Sequence, residues 1–201
     1  MKTHDFLLEI GTEEIPARFL NQLSQQLAAN TAAQLETANK KKKKIDHFHT
    51  PKRLAILISG LAEKQQDYKI ERKGPAWQHA FDENGNPTKA ALGFAKSCQC
   101  HITELNQKIF QGRQHLFYEK SCAGQSVTAL LPQIISAAVK QMNLPKSMRW
   151  GSETYEFVRP IHWVCAVLND QIIPLELFGT QASNQSYGHR FLQPDPITID
   201  S

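Results

Sequence analysis

The sequence has no apolar run approaching the roughly 20 residues that a membrane-spanning helix needs, and Met1 to Glu9 lack the cationic-then-apolar order of a secretory signal. No membrane partner is expected, and the expected compartment is the cytoplasm. Cysteine is scarce: Cys98, Cys100, Cys122 and Cys165 are the only 4 in 201 residues. Without an export signal they read as reduced thiols rather than a disulfide framework, and Cys98 and Cys100 are too close for an easy mutual bridge. No G-x-G-x-x-G, G-x-x-x-x-G-K-[ST] or G-x-S-x-G pattern occurs, so a Gly-rich phosphate cradle and a nucleophile elbow are both unexpected. Zinc-ligand spacing is missing too: Cys98-x-Cys100 with His101 and Cys122 is no paired C-x-x-C arrangement, and His47-x-His49 beside a lysine run reads as solvated. No metal site and no catalytic residue are expected.

What is present fits an ordinary soluble protein, with 41% hydrophobic and 21% charged residues. The length allows one large α+β domain or two smaller ones, with a division near 61–75. A net charge of +4 permits a polyanionic partner without demanding one. The run Lys40 to Lys44 supplies much of the local excess and reads as a solvated, mobile loop.

Along the chain, Phe6 to Ile10 reads as a short buried strand stopped by Gly11. Glu13, Glu14 and Pro16 suit the first turn of a following helix, in which Leu20, Leu23, Leu27 and Leu35 mark one apolar face through about Ala38. Leu54 to Ile58 is a core strand ended by Gly60. A polar stretch, Glu63 to Lys73, leads into Gly74-Pro75. Asp82 to Pro87 concentrates turn formers, and Thr88 caps a helix running to about Ser97, with a further short helix near Thr103. Lys108 to Phe110 and Leu116 to Tyr118 flank a Gly-containing loop as a hairpin. Ser126 opens the clearest helix, with Val127, Leu131, Ile134, Ile135 and Ala138 on one stripe and Pro132 placed to kink it or shorten its start. Ile161 to Leu168 and Ile172 to Phe178 flank Asn169-Asp170-Gln171 as a second hairpin. The fold class is α+β: a mixed, mainly antiparallel, hairpin-built sheet with packed amphipathic helices in one or two subdomains, and no internal repeat.

Glu9, Glu13 and Glu14 form an acidic cluster that could do acid and base work. The simpler reading places Glu13 and Glu14 at the positive end of the following helix and pairs Glu9 with a base. Trp150 and Trp163 read as core.

Several stretches in order carry a resemblance: Leu8-Glu9-Ile10-Gly11-Thr12-Glu13-Glu14-Ile15-Pro16, Thr50-Pro51-Lys52-Arg53-Leu54-Ala55, Glu71-Arg72-Lys73-Gly74-Pro75, Gly85-Asn86-Pro87-Thr88-Lys89-Ala90-Ala91 with Gly93-Phe94-Ala95, Pro145-Lys146-Ser147-Met148-Arg149-Trp150-Gly151, Phe157-Val158-Arg159-Pro160-Ile161-His162-Trp163 and Gly188-His189-Arg190-Phe191. Together they resemble the start of the β subunit of the bacterial glycine–tRNA ligase family, over nearly the whole chain. The resemblance implies an α2β2 enzyme whose α subunit makes glycyl-adenylate with ATP and Mg, and whose β subunit serves recognition and charging of tRNA(Gly). It implies that residues 1–201 form the amino-terminal α+β region, with the later HD-like and anticodon-binding regions outside this chain. The lysine run departs from the mixed sequence expected there. HIGH, KMSKS and class II motif 3 patterns are absent, Lys146-Ser147-Met148 being only superficially similar to the second, so the adenylating site is expected elsewhere and no cofactor on this chain.

Guanidinium forks bind phosphates, glycines let a backbone approach, and tryptophan can stack on a base. Arg53, Arg72, Lys73, Lys146, Arg149, Arg159 and Arg190 are therefore the RNA-binding candidates. Each also fits a structural role, tying a loop to carbonyls or to Glu9 and Glu13. Three readings stand: a non-catalytic tRNA-contacting and assembly module whose partners are the α subunit and tRNA(Gly), a purely structural interface module, or a free-standing hydrolase or amidotransferase-like enzyme using Glu9, Glu13 and His162 in one cleft.

Overall fold

The computed structural model describes residues 3–82, 85–151 and 154–200. The chain divides into two compact units, one formed by Met1–Gln65 with Gln125–Ser201 and the other by Gln66–Gly124. The first unit is thus interrupted and resumed. Among the described residues, no helix is long and apolar enough to cross a membrane.

The first unit begins with β1 (Thr3–Thr12), α1 (Ala17–Thr37), β2 (Lys44–Thr50) and β3 (Arg53–Ala62). Strand β1 runs through Gly11 rather than stopping at it, and β2 is a strand that the sequence reading left out. α1 starts only after Pro16 and has no acidic residue in its first turn, so Glu13 and Glu14 do not serve its dipole as expected. The reason is an entry loop pinned elsewhere: the amide of Glu13 donates to the Pro160 carbonyl at 3.0 Å and that of Ile15 to the Pro51 carbonyl at 2.7 Å.

The second unit contains β4 (Tyr68–Ala76), α2 (Trp77–Ala80), α3 (Lys89–Cys98), a 3-10 turn at Ile102–Glu104, β5 (Asn106–Phe110) and β6 (Arg113–Cys122). Its sheet has the order β4-β6-β5, antiparallel throughout. β4 occupies the polar stretch given no strand from sequence, where charged residues alternate with little apolar signal. Thr88 caps α3 by accepting from the Ala91 amide. Glu83 and Asn84 of the expected turn lie outside the described residues. The core here is small: Ala80, Ala91 and Leu116, with Trp77, Phe81, Phe94, Ile102 and Leu105 packed around them.

The chain then returns through α4 (Val127–Lys140), β7 (Met148–Arg149), β8 (Glu156–Phe157), β9 (Ile161–Leu168), β10 (Gln171–Ile172), β11 (Glu176–Leu177), β12 (Thr180–Ser183), β13 (Gln185–Tyr187) and β14 (Pro196–Thr198). Ser126 caps α4, which continues through Pro132. The expected long second hairpin is instead broken: β10 pairs with β9 for two residues, Pro174 has no amide to continue the ladder, and β11 pairs with β12.

The main sheet has the order β11-β12-β9-β1-β3-β2. Its pairs are antiparallel except for β12 against β9. Phe6, Leu8 and Ile10 of β1 lie level with Leu54, Ile56 and Ile58 of β3 on one face, fully buried with Leu23, Leu27 and Leu35 of α1 and Leu131 and Ile135 of α4. At roughly 2 kcal/mol per buried aliphatic side chain, this face is the unit's main stabiliser.

The lysine run is exposed, as expected, at Lys41, Lys43 and Lys44, but not at its first member. Lys40 is buried, and its Nζ donates to the carbonyls of Ala62 at 3.4 Å and Gln125 at 3.3 Å. Burial lowers its pKa. Lys42 meets Glu36 at 3.5 Å and Lys44 meets Asp46 at 2.7 Å. The run ties down the place where the chain leaves the first unit and re-enters it.

Candidate functional site

The opposite face of β1 carries a polar network. Glu9 sits across from Ala55 on β3 and Cys165 on β9, whose small side chains leave room for a carboxylate. Gly11, one step along the same face, pairs with Arg53 on one side and Trp163 on the other. A Cβ at Gly11 would overlap the Trp163 indole, so only glycine lets that ring lie across the strand. The indole Nε1 then donates to Glu9 Oε1 at 2.7 Å, Ser186 Oγ donates to the same oxygen at 2.6 Å, and Arg53 Nη1 donates to Glu9 Oε2 at 2.8 Å. Arg53 also reaches Ser186 and the Tyr187 carbonyl, while its buried Nε has no partner among the described residues. Trp163 and Tyr187 pack with ring centres 5.1 Å apart. Glu9 is only 7% exposed, and its charge is matched by three donors. Burial first, and the Glu9 charge second, push the Cys165 thiol up to about 11.

Above this network lies an open cleft of about 960 Å³. Trp163, Tyr187 and Arg53 form part of its lining, with Glu13, Lys52 and Arg190 around it. Glu13 bridges to His162 at 2.9 Å and to Lys52 at 3.9 Å. The amide of Thr12 donates to the Lys52 carbonyl at 2.8 Å, which fixes the β2–β3 turn against the end of β1. The loop from Gly188 to Pro194 is held by amides of Leu192 and Gln193 donating to the His189 carbonyl at 3.0 and 2.7 Å. Arg190 lies over the Phe191 ring at 4.7 Å, and Phe191 itself is 74% exposed. The cleft therefore offers cations, half-exposed rings and carboxylates on one surface.

The candidate cations are scattered. Arg53 and Arg190 line the cleft, Arg53 as an anchor committed to Glu9 and Arg190 with an exposed guanidinium. Arg159 donates to the Glu14 and Val158 carbonyls, both at 2.9 Å. Arg149 pairs with Glu156 at 2.7 Å on the β7–β8 hairpin, near the exposed Lys146. Arg72 donates to the Ser97 carbonyl at 3.0 Å, and Lys73 lies over the Phe110 ring at 5.1 Å, both in the second unit. Sequence reasoning passed over Lys52, although it adjoins Arg53 in a turn between two strands. His162 and Glu13 do meet, as the enzyme reading required, but Glu9 is committed below them and the Thr12 hydroxyl donates to the Glu13 carbonyl at 2.8 Å. Among the described residues, no group of three or more His, Cys, Asp or Glu is placed to hold a metal. Cys98, Cys100 and Cys122 are free thiols, and burial above all raises the pKa of Cys100. His47 bonds the Ser24 hydroxyl at 2.9 Å rather than remaining free in solvent.

The profile of the family described as "Glycyl-tRNA synthetase beta subunit" matches residues 6–201. The chain is 44% identical over 199 residues to the glycine–tRNA ligase beta subunit of Coxiella burnetii (strain Dugway 5J108-111), covering 99% of this chain and 29% of that protein. The corresponding protein of Moorella thermoacetica is 44% identical over 195 residues, covering 97% and 28%. That of Cronobacter sakazakii is 38% identical over 200 residues, covering 100% and 29%. The chain thus spans under a third of the length of these relatives.

Proposed function

The chain belongs to the glycyl-tRNA synthetase β-subunit family, and from that premise we propose that it is a non-catalytic, tRNA-contacting region of a heterotetrameric glycine–tRNA ligase. In this reading the α subunit carries the ATP-dependent formation of glycyl-adenylate, and this region helps hold tRNA(Gly) in the cytoplasm through the cleft above the Glu9–Arg53 network. The observation that carries it is the joint presence of Lys52, Arg190 and the exposed Phe191 ring around one cleft. Cations on a rigid floor can fix phosphates, and an exposed ring can stack on an unpaired base. The buried pair beneath supplies the rigidity, because Glu9 and Arg53 have no freedom to leave each other without stranding a charge.

The test is tRNA binding as a function of salt. Lys52→Ala with Arg190→Ala should weaken binding about tenfold and reduce the salt slope by about 2, since each phosphate contact contributes about 0.9. An unchanged affinity and slope would remove the cleft from the RNA interface. One observation favours a second role in assembly with the α subunit: Phe191 and Leu192 are 74% and 83% exposed at the tip of the same loop, an apolar pair suited to a protein contact. Phe191→Ser with Leu192→Ser would then weaken α-subunit association and leave the salt slope for tRNA intact.

A further inference from the structure

The antiparallel sheet of the second unit has two unlike faces. One, bearing Leu116 and Tyr118, meets the small core under α2 and α3. The other is set by the register: Lys73 and Asn106 stand level with Phe117, Lys108 with His115, and Phe110 with Arg113. Side chains directly opposite in an antiparallel pair share a face. Phe110, His115 and Phe117 therefore form one aromatic row, with Phe110 6.0 Å from Phe117 and 6.4 Å from His115. Two ammonium groups lie on this row: Lys108 over Phe117 at 4.4 Å and Lys73 over Phe110 at 5.1 Å.

The charge on this face is graded. Toward the β4 start and β6 end, Lys69 is matched by Glu119 at 2.6 Å, and Glu71 stands opposite Glu119. Toward the β5–β6 turn, Lys73, Lys108 and Arg113 are exposed and, among the described residues, make no ion pair with a carboxylate. Lys73 over Phe110 and Lys108 over the buried Phe117 hold two like charges on one aromatic row, with Arg113 level with Phe110, and an arriving anion would relieve their repulsion. Rings under cations provide the two contacts that a single-stranded nucleic acid makes, a flat surface for a base and charge for the phosphates on either side.

We propose that this end of the second unit's sheet is a stacking platform for an unpaired RNA nucleotide. The base lies on Phe110, backed by Phe117. Lys73 and Lys108 move off the rings to the flanking phosphates, and Arg113 holds a further phosphate. RNA as the occupant rests on the RNA-handling reading of the chain, and the placement of the site rests on the face alone. Stacking on a ring is tolerant of base identity, so the platform holds a strand without reading its sequence.

The experiment measures binding of short fluorescent oligouridylate and oligoadenylate to the full chain by anisotropy across a salt series. Phe110→Leu keeps an apolar side chain over Phe117 and removes the ring; it should weaken binding about tenfold with the salt slope unchanged. Phe110→Tyr should bind as the parent does, and a loss there too would assign the effect to packing and overturn the platform. Replacing Lys73, Lys108 and Arg113 together by glutamine should lower the salt slope by about 2, at about 0.7 per single-strand phosphate. If the triple replacement weakens binding while Phe110→Leu does not, or if polyglutamate competes as well as RNA, the face is a docking site for an acidic protein surface and the proposal is wrong. The Lys52 and Arg190 variants are read with tRNA in the same series. Oligonucleotide binding indifferent to Phe110, with tRNA binding dependent on the cleft, sinks the platform and leaves the functional reading intact.

Discussion

The network on β1 in the first unit and the β5–β6 end of the sheet in the second handle charge in opposite ways. In the first, a glutamate and an arginine are drawn into the fold, and Glu9 is saturated by Arg53, Trp163 and Ser186. In the second, Lys73 and Lys108 remain on the surface over aromatic rings, and Arg113 is exposed at the end of the same face. The contrast separates cations that build a scaffold from cations able to meet a ligand, a distinction that residue type alone does not make. It also follows core size. The first unit has a continuous core from β1, β3, β9, α1 and α4, which can bear the desolvation of a buried ion pair, whereas the second is centred on Ala80, Ala91 and Leu116.

Stranding a charge should have the largest effect. Arg53→Ala leaves Glu9 buried without its counter-ion and should cost about 3 to 5 kcal/mol in urea unfolding, with loss of first-unit structure. A cost near zero would make Arg53 an ordinary surface arginine. Next in size is Leu116→Ala, expected to cost about 3 kcal/mol. Because so little else holds the second unit's core, amide exchange should rise throughout Gln66–Gly124 and remain slow in β1 and β9. Equal loosening of both units would show them to be one cooperative structure. Gly11→Ala should cost about 2 kcal/mol, as overpacking against Trp163, with a change in tryptophan fluorescence.

A smaller effect concerns pH. The Cys165 thiol is raised from 9.0 to about 11, so the folded chain binds its proton more tightly than the unfolded chain does. Stability from this group is fully present below pH 9.0 and is lost as pH rises toward 11. Cys165→Ala should remove that part of the alkaline slope, and an unchanged slope in unfolding between those limits would contradict the assignment. Smallest of all is Arg149→Ala. Its pair with Glu156 is 68% and 45% exposed on the two side chains, and the change should leave the urea midpoint of unfolding unmoved.

Periodic apolar patterns were readable from sequence. α1 and α4 appear on the stripes that Leu23, Leu27, Leu131 and Ile135 define, and the β5–β6 hairpin turns at Gln111-Gly112. β2 and β4 were not legible, because each is polar and charged with little apolar alternation; β4 also pairs with a strand distant in sequence, whereas β2 closes a tight hairpin with β3 across Pro51-Lys52. Nor did any local signal say that the first unit resumes at Gln125, since that depends on contacts formed by β9 and α4 with residues more than a hundred positions earlier. At the site, the pairing of Glu9 with a base was foreseen. The fate of Glu13 was not: the helix it was assigned to begins at Ala17, and its partners His162 and Lys52 are brought by β9 and the β2–β3 turn. Lysines 40 to 44 show the same limit, since a run of one charge sign carries no information about which member a neighbouring strand will bury.

If this region contacts tRNA without taking part in adenylate chemistry, the two half-reactions of the assembled enzyme should separate. The most direct measurement is reconstitution of the α subunit with a full-length β subunit carrying Lys52→Ala and Arg190→Ala, following glycine-dependent ATP–pyrophosphate exchange and tRNA glycylation side by side. Exchange should be unchanged and the KM for tRNA in glycylation raised. Loss of exchange along with charging, or unchanged charging, would contradict the tRNA-contacting role.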